Sequence, residues 1–202
     1  MLLSDEQKEK NKTLFFKKLS QIIGESTLEE DFGNLLENAT FSNGTTDSLT
    51  GDGTLLNTIL RKLTPIALKL NENILPESIR INPDTIIKIC LLSHISKAVR
   101  LVQNDNDWEV NKRGIYYKYN ENNPSIKTGL HSLIIAQQSG IKFTPEEAEA
   151  MTINDRDLDD EQAKWHSSML ASLIRMANEL VYQTEIELEK NKKVIEKQPT
   201  DE

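Results

Sequence analysis

Histidines are the side chains of this sequence best suited to metal binding or proton transfer. His94 lies in the run L-L-S-H-I-S-K, and His131 lies three residues past Thr128, on nearly the same side of a helix as that threonine. For His94 the sequence favours a hydrogen-bonding role in a polar cleft, and for His131 a shifted metal ligand is an open alternative. The serines near them have no orienting third group that the sequence identifies, so no catalytic nucleophile is predicted.

Aspartates cluster in one short segment, where they could bind calcium. They are Asp155, Asp157, Asp159 and Asp160. The run lacks the glycine turn of an EF-hand loop, so a solvated acidic turn is the favoured interpretation. The chain also has no P-loop, no G-x-G-x-x-G segment and no Cys/His spacing typical of a zinc site.

The composition indicates a folded protein in a reducing compartment. The 202 residues are 37% hydrophobic and 28% charged, which suits one well-cored domain. No apolar run approaches the ~18 residues that a membrane span needs. The first residues lack a signal-peptide core, so we expect a cytoplasmic location without membrane contact. Cys90 lies on an apolar helix face and is expected to be a buried, unreactive thiol.

The net charge argues against nucleic acid as a direct partner. It is −8 at pH 7. Basic residues cluster only at residues 8–18 and 190–197, always beside acidic ones, whereas duplex-binding proteins usually carry a basic patch or stripe. Direct binding to duplex nucleic acid is therefore disfavoured.

Apolar periodicity and capping residues predict an all-α fold for the first part of the chain. Helices are expected over residues 4–23 and, after a capping-box pattern, over residues 26–38. A polar loop rich in Gly, Ser, Thr and Asn follows over residues 38–53. The next helix runs from residue 53 to about 70, with a kink at Pro65 because proline lacks a backbone donor.

The centre of the chain predicts an apolar helix and then a small β-hairpin. Asn82 and Pro83 start the helix, whose buried face comprises Ile86, Ile87, Cys90, Leu91, Ile95, Val99 and Val102. Strands at residues 108–110 and 115–119 flank a turn that ends in glycine, so they are expected to form the hairpin.

The last third of the chain predicts three more helices. The first two span residues 126–139 and 144–153. The third runs from about residue 160 to 197. Its predicted buried face comprises Trp165, Met169, Leu170, Leu173, Ile174, Ala177 and Val181.

Several separated segments occur in the order in which one protein family has them. The run L-L-S-H-I-S-K resembles L-L-H-D-L-C-K, and Y-Y-K-Y at residues 116–119 resembles a W-x-x-x-x-x-P-Y-Y-x-Y hairpin. Earlier in the chain, G-T-L-L-N-T-I-L at residues 53–60 resembles G-G-L-L-E-H-S-L. Later, K-T-G at residues 127–129 falls on G-H-G-E-K-S, and E-E-A-E-A-M at residues 146–151 resembles E-E-A-x-A-I-R-W-H. R-M-A-N at residues 175–178 takes the place of H-A-A-D. Over about residues 13–180 the chain thus resembles the small all-helical HD-domain phosphohydrolases of gut bacteria and tailed phages.

The resemblance implies an HD-like helical bundle without the family's metal centre. In that family, two histidines and two aspartates hold a divalent cation, which acidifies a water for attack on a phosphate ester. At the matching positions only His94 is a good ligand. The resemblance therefore implies no catalytic residue, no metal and no cofactor. It implies instead a polar pseudo-active cleft made by Thr58, Ser93, His94, Thr128, Asn154 and Asn178.

Two classes of function follow from this resemblance. The first is a non-catalytic scaffold or interaction protein, such as a virion or connector component of a phage, found in the host cytoplasm or in the virion. Such a protein is expected to bind protein partners or to self-assemble, and to have no small-molecule substrate. The alternative is a residual metal-dependent phosphohydrolase of nucleotides or phosphoesters with a rebuilt site.

The domain organisation predicted here is one helical domain and an extension. The domain covers residues 1–184, with the hairpin at residues 108–119, and a charged helical extension and tail covers residues 185–202. Acid–base pairs support the extension locally, but such pairs are worth only ~0.2–0.5 kcal/mol each, so an isolated helix would fray. Two alternatives remain open: a solvated tail, or a partner that buries Ile186, Leu188, Val194 and Ile195.

Overall fold

Helices make up most of the described chain. The computed structural model describes residues 3–24, 54–115, 117–155 and 167–195. We number its elements as α1 Asp5–Ile23, α2 Thr54–Thr58, α3 Thr64–Asn73, α4 Pro83–Leu92, α5 Ser96–Arg100, β1 Leu101–Gln103, β2 Tyr117–Tyr119, α6 Thr128–Gln138, α7 Pro145–Thr152 and α8 Met169–Ile195. Short 3-10 turns at Glu77–Ile79 and Ile153–Asp155 and π-helical turns at Ile59–Leu63 and Glu109–Arg113 complete the list. The mainly helical class predicted from the sequence is confirmed.

The first helix forms as its capping residues predict. The Ser4 hydroxyl accepts a hydrogen bond from the Gln7 backbone N–H, and Gly24 ends the helix at a φ of 88°. Phe15 and Leu19 on its inner face are completely buried. The predicted helix over residues 26–38 and the polar loop over residues 38–53 lie outside the described residues.

A widened helical turn lies just before Pro65, where the sequence predicted a kink. Between α2 and α3, the Thr64 backbone N–H donates to the Ile59 carbonyl, five residues back, which is the π-helical pattern. Pro65 has no N–H with which to continue the regular ladder, so the irregular turn directly precedes it.

Helix α4 lies at the centre of the described fold. It contacts α1, α3, α6, α7 and α8, and its side chains Ile86, Ile89, Cys90, Leu91 and Leu92 are completely buried. The sequence predicted that its apolar face would continue to Val102, and this is wrong. The helix ends at Leu92, tighter turns over residues 93–95 lead into α5, and Val102 lies in β1.

The predicted hairpin over residues 108–119 is only partly correct: its second strand, residues 115–119, contains β2, but β2 pairs with a strand that lies before residue 108. β1 pairs antiparallel with β2, with Leu101 opposite Tyr119 and Gln103 opposite Tyr117. The predicted first strand at residues 108–110 is instead helical. Asn106 is the physical cause of this helical turn. Its side-chain oxygen accepts hydrogen bonds from the N–H groups of Trp108 and Glu109 and so caps the start of the turn.

Helices α6 and α7 match their predicted positions closely. Gly140 follows α6 with a φ of 76°. At the start of α7, Thr144 and Glu147 form a capping box, and the Glu147 carboxylate also pairs with Lys88 at 2.8 Å. None of the described helices is both long and apolar enough to cross a membrane.

The last helix, α8, differs from its prediction at its start. It begins at Met169, because Ser168 caps it: the Ser168 hydroxyl accepts from the Ala171 N–H. Trp165 lies outside the described residues. Met169 was predicted to be buried but is 45% exposed, whereas the other predicted core positions of this helix, Leu170, Leu173, Ile174, Ala177 and Val181, are buried. The helix crosses the predicted domain boundary at residue 184 without a break.

Candidate functional site

A polar cavity of about 500 Å³ opens beside the last helix. It is lined by α2 and the π-helical turn after it, by His94 and Lys97, by residues 153–154, and by α8 between Arg175 and Glu185. We call it the α8 cavity. Its size is that of a small-molecule site, and its lining mixes apolar, neutral polar and charged side chains.

Most of the predicted pseudo-active cleft lines this cavity, but two of its residues do not. Thr58, His94, Asn154 and Asn178 face it. Ser93 is buried beside it, and its hydroxyl has no hydrogen-bond partner among the described residues.

Thr128 departs from the predicted cleft and lines a second cavity. The carbonyl of Thr128 accepts a hydrogen bond from the Ser96 hydroxyl at 2.9 Å, and Ser96 lines that second cavity as well. His94 and Lys97, on the other side of the same turn, face the α8 cavity. The turn between α4 and α5 therefore separates Thr128 from the remaining cleft residues.

His94 is held as a neutral imidazole by its neighbours. The Asn178 amide nitrogen donates to the Ile174 carbonyl at 3.0 Å, so the Asn178 Oδ1 atom faces His94 and accepts from its Nε2 at 2.9 Å. Burial lowers the pKa of His94 to about 4, and the positive charge of Lys97 acts in the same direction. The Nδ1 atom then carries a lone pair, and it is buried without a hydrogen-bond partner among the residues that the structure describes.

Lys97 brings a cation into the α8 cavity. Burial lowers its pKa, as does the charge of Arg100, and Glu185 partly opposes them. The structure gives its ammonium group no ion pair with any described carboxylate. Glu185 itself pairs with Lys62 at 2.8 Å, which ties α8 to the π-helical turn at residues 59–63. Lys97 was not among the predicted cleft residues, although its position three residues after His94 places both on one side of the chain.

Asp155 is the described member of the acidic run, and it contributes to the fold. Asp155 was expected in a solvated acidic turn, but its carboxylate accepts from the backbone N–H groups of Gly129 and Leu130, at 3.0 and 2.7 Å. It thus caps the start of α6 from another element, where the helix dipole favours a negative charge. Asp157, Asp159 and Asp160 lie outside the described residues. Among the described residues no group of three His, Cys, Asp or Glu side chains could hold a metal ion.

The second cavity, of about 200 Å³, lies between α5, β2 and the start of α6. We call it the Arg100 cavity. Arg100 lies over the Tyr119 ring, 5.6 Å from its centre. His131 lines this cavity and not the α8 cavity, and burial lowers its pKa, with the charge of Arg100 adding to the effect. A neighbouring arginine disfavours the shifted metal ligand that the sequence left open at His131.

Cys90 is a structural residue. It is completely buried, as predicted, and burial raises the pKa of its thiol to about 12. A thiol with so high a pKa is not a nucleophile near neutral pH.

Comparison with known proteins found no relative of this chain. No protein-family model, no curated protein and no solved structure matches the chain. The resemblance to HD-domain phosphohydrolases is therefore carried by the sequence segments alone.

Proposed function

We propose that this chain is a non-catalytic interaction protein on an HD-like helical fold. The observation that carries the proposal is the chemistry of the α8 cavity. Where the resemblance calls for metal ligands, the cavity presents the hydroxyl of Thr58, the amides of Asn154 and Asn178, and a neutral His94. Hydroxyls and amides contribute no negative charge, so they bind a divalent cation only weakly and do not offset the free energy of removing its water.

The charged groups at the cavity also oppose a divalent cation. Lys97 faces the same space as His94, and it repels a cation there. Glu185 is already paired with Lys62, so among the described lining residues Glu179 is the one carboxylate without an ion pair. The charges of Lys97, Glu185 and Glu179 thus support the proposal that the chain lacks metal-dependent hydrolysis.

The projecting end of α8 is the surface that we assign to a partner. Leu188 lies seven residues after Val181 and hence on the same face of the helix. Val181 is buried, whereas Leu188 is 50% exposed, because the rest of the described fold no longer covers this face. Ile186 is half-buried, and the side chains of Val194 and Ile195 lie outside the described residues. On the resemblance alone, we extend the proposal to a virion or connector component of a phage.

Phosphate release tests the non-catalytic part of the proposal. The purified chain should release no phosphate from nucleotides or from a phosphodiester in the presence of magnesium, manganese or cobalt. Release that a chelator abolishes, and that is lost again in a His94→Gln variant, would instead support the residual phosphohydrolase with a rebuilt site. A His131→Gln variant serves as the matched control, because His131 lies in the other cavity.

A further inference from the structure

The Arg100 cavity collects hydrogen-bond donors that no described residue uses. The Arg100 guanidinium packs on Tyr119 but makes no hydrogen bond or ion pair with the described residues. The hydroxyl of Thr128 and the ring nitrogens of His131, which line the same cavity, likewise have no hydrogen-bond partner there. No carboxylate lies among the described lining residues. The described lining therefore has a positive charge and open donors without a negative charge to balance them.

The walls of this cavity are held in place by their own hydrogen bonds. The side-chain amides of Asn120 and Asn123 both donate to the Val99 carbonyl, at 3.3 and 3.2 Å, and the Asn120 backbone N–H donates to the Arg100 carbonyl at 2.9 Å. On the opposite side, the Ser96 hydroxyl donates to the Thr128 carbonyl. These bonds hold the backbone that carries Arg100 and Thr128, so less of the chain has to be ordered when a ligand arrives.

We propose that the Arg100 cavity binds a compact oxyanion of the phosphate class. Arg100 supplies the charged, forked donor, and Thr128 and His131 supply further donors from separate positions on α6. Donors that approach from separate positions suit a tetrahedral oxyanion better than a planar carboxylate. The cavity volume of about 200 Å³ accommodates an inorganic phosphate ion or one phosphoryl group but not a whole nucleotide. The ligand is bound and not turned over.

Titration of the full chain with inorganic phosphate tests this site. Calorimetry at constant ionic strength, with chloride as the balancing anion, should show saturable binding. Arg100→Gln should weaken that binding about tenfold or more, the loss expected for a charge-assisted hydrogen bond. Thr128→Val, which keeps the shape of the side chain, should weaken it by less. Arg175→Gln is the matched control, because Arg175 is an exposed arginine of the α8 cavity, and it should leave phosphate binding unchanged.

The same titrations include the results that would overturn the site. The proposal is wrong if phosphate does not saturate, or if Arg175→Gln weakens binding as much as Arg100→Gln does. Loss of binding in Lys97→Gln with retention in Arg100→Gln would place the ion in the α8 cavity instead. Acetate that binds as tightly as phosphate would reject the phosphate class. Circular dichroism of each variant confirms that it is folded.

Discussion

The Nε2 atom of His94 and the Oδ1 atom of Asn178 meet at 2.9 Å across the α8 cavity. The two residues come from the turn after α4 and from the middle of α8, so this hydrogen bond joins elements far apart in the sequence. It also fixes the imidazole in one neutral tautomer, because the other side of the Asn178 amide is engaged by the Ile174 carbonyl. The bond thereby ties α8 to the turn after α4.

Replacing Asn178 by Asp should raise the pKa of His94 above its value of about 4. A carboxylate in hydrogen-bond contact favours the charged imidazolium, typically by 1–3 units of pKa. The measurement is the pH titration of the His94 ring proton by NMR. Asn154→Asp, an exposed position of the same cavity, should shift it much less, and an unchanged titration in Asn178→Asp would show that the two side chains are not in contact.

Acid should destabilise the protein through His94. Its pKa is about 4 in the folded chain and about 6.5 in a solvated histidine. As the pH falls from 6.5 to 4, the unfolded chain therefore binds the proton and the folded chain does not, so stability is full above pH 6.5 and is lost toward pH 4. At 1.36 kcal/mol per pKa unit the loss is roughly 3 kcal/mol. Urea unfolding at pH 7 and pH 5 should show about 2 kcal/mol of this loss, and His94→Gln should flatten the difference.

Gly129 should not tolerate a side chain. A Cβ atom there would fall on the Met151 carbonyl and lie 2.8 Å from Asp155 Oδ2, so α6 and α7 would have to move apart. We expect Gly129→Ala to lower the free energy of unfolding by about 1–3 kcal/mol, the usual cost of overpacking. Urea denaturation at pH 7 measures this change in the free energy of unfolding. Leu130→Ala at the neighbouring exposed position is the control, and equal stabilities of the Gly129 variant and the wild type would contradict the close packing of these helices.

Asp155→Ala should also weaken the junction of α6 and α7. It removes the carboxylate that accepts from Gly129 and Leu130, and loss of such a cap typically costs about 1 kcal/mol. Amide hydrogen exchange should then be faster at the first turn of α6 than at its last turn. Uniformly faster exchange would mean that Asp155 stabilises the whole fold and not this helix end.

The parts of the fold that short-range rules govern could be predicted from the sequence. Ser4, Asn82 and Thr144 start helices because each side chain bonds to a backbone N–H a few residues away, and such bonds need no knowledge of the rest of the chain. The prediction of a first hairpin strand at residues 108–110 was wrong because of another such local bond. Asn106 bonds to the backbone locally and starts a helical turn, which the alternating pattern around Trp108 did not reveal.

The candidate site was less accessible to sequence reasoning, because distant elements build it. The expectation that Thr58, His94, Asn154 and Asn178 share a cleft came from the resemblance, and the structure brings these residues to one cavity. The position of Thr128 depends on how α6 docks against Ser96, which no local pattern encodes. The role of Asp155 at the start of α6 likewise joins residues 25 and 26 positions apart.

The native mass of the assembly tests the interaction role most directly. Leu188 on the projecting end of α8 is half exposed, so a partner or a second copy should bury it. Mass measurement of the protein from its source should therefore show an assembly heavier than the 23.0 kDa chain. Truncation after Gln183, or Leu188→Ser, should shift the mass to that of the single chain, whereas Leu130→Ser on α6 should not. A single-chain mass for the native protein, or an assembly that survives the truncation, would contradict the account.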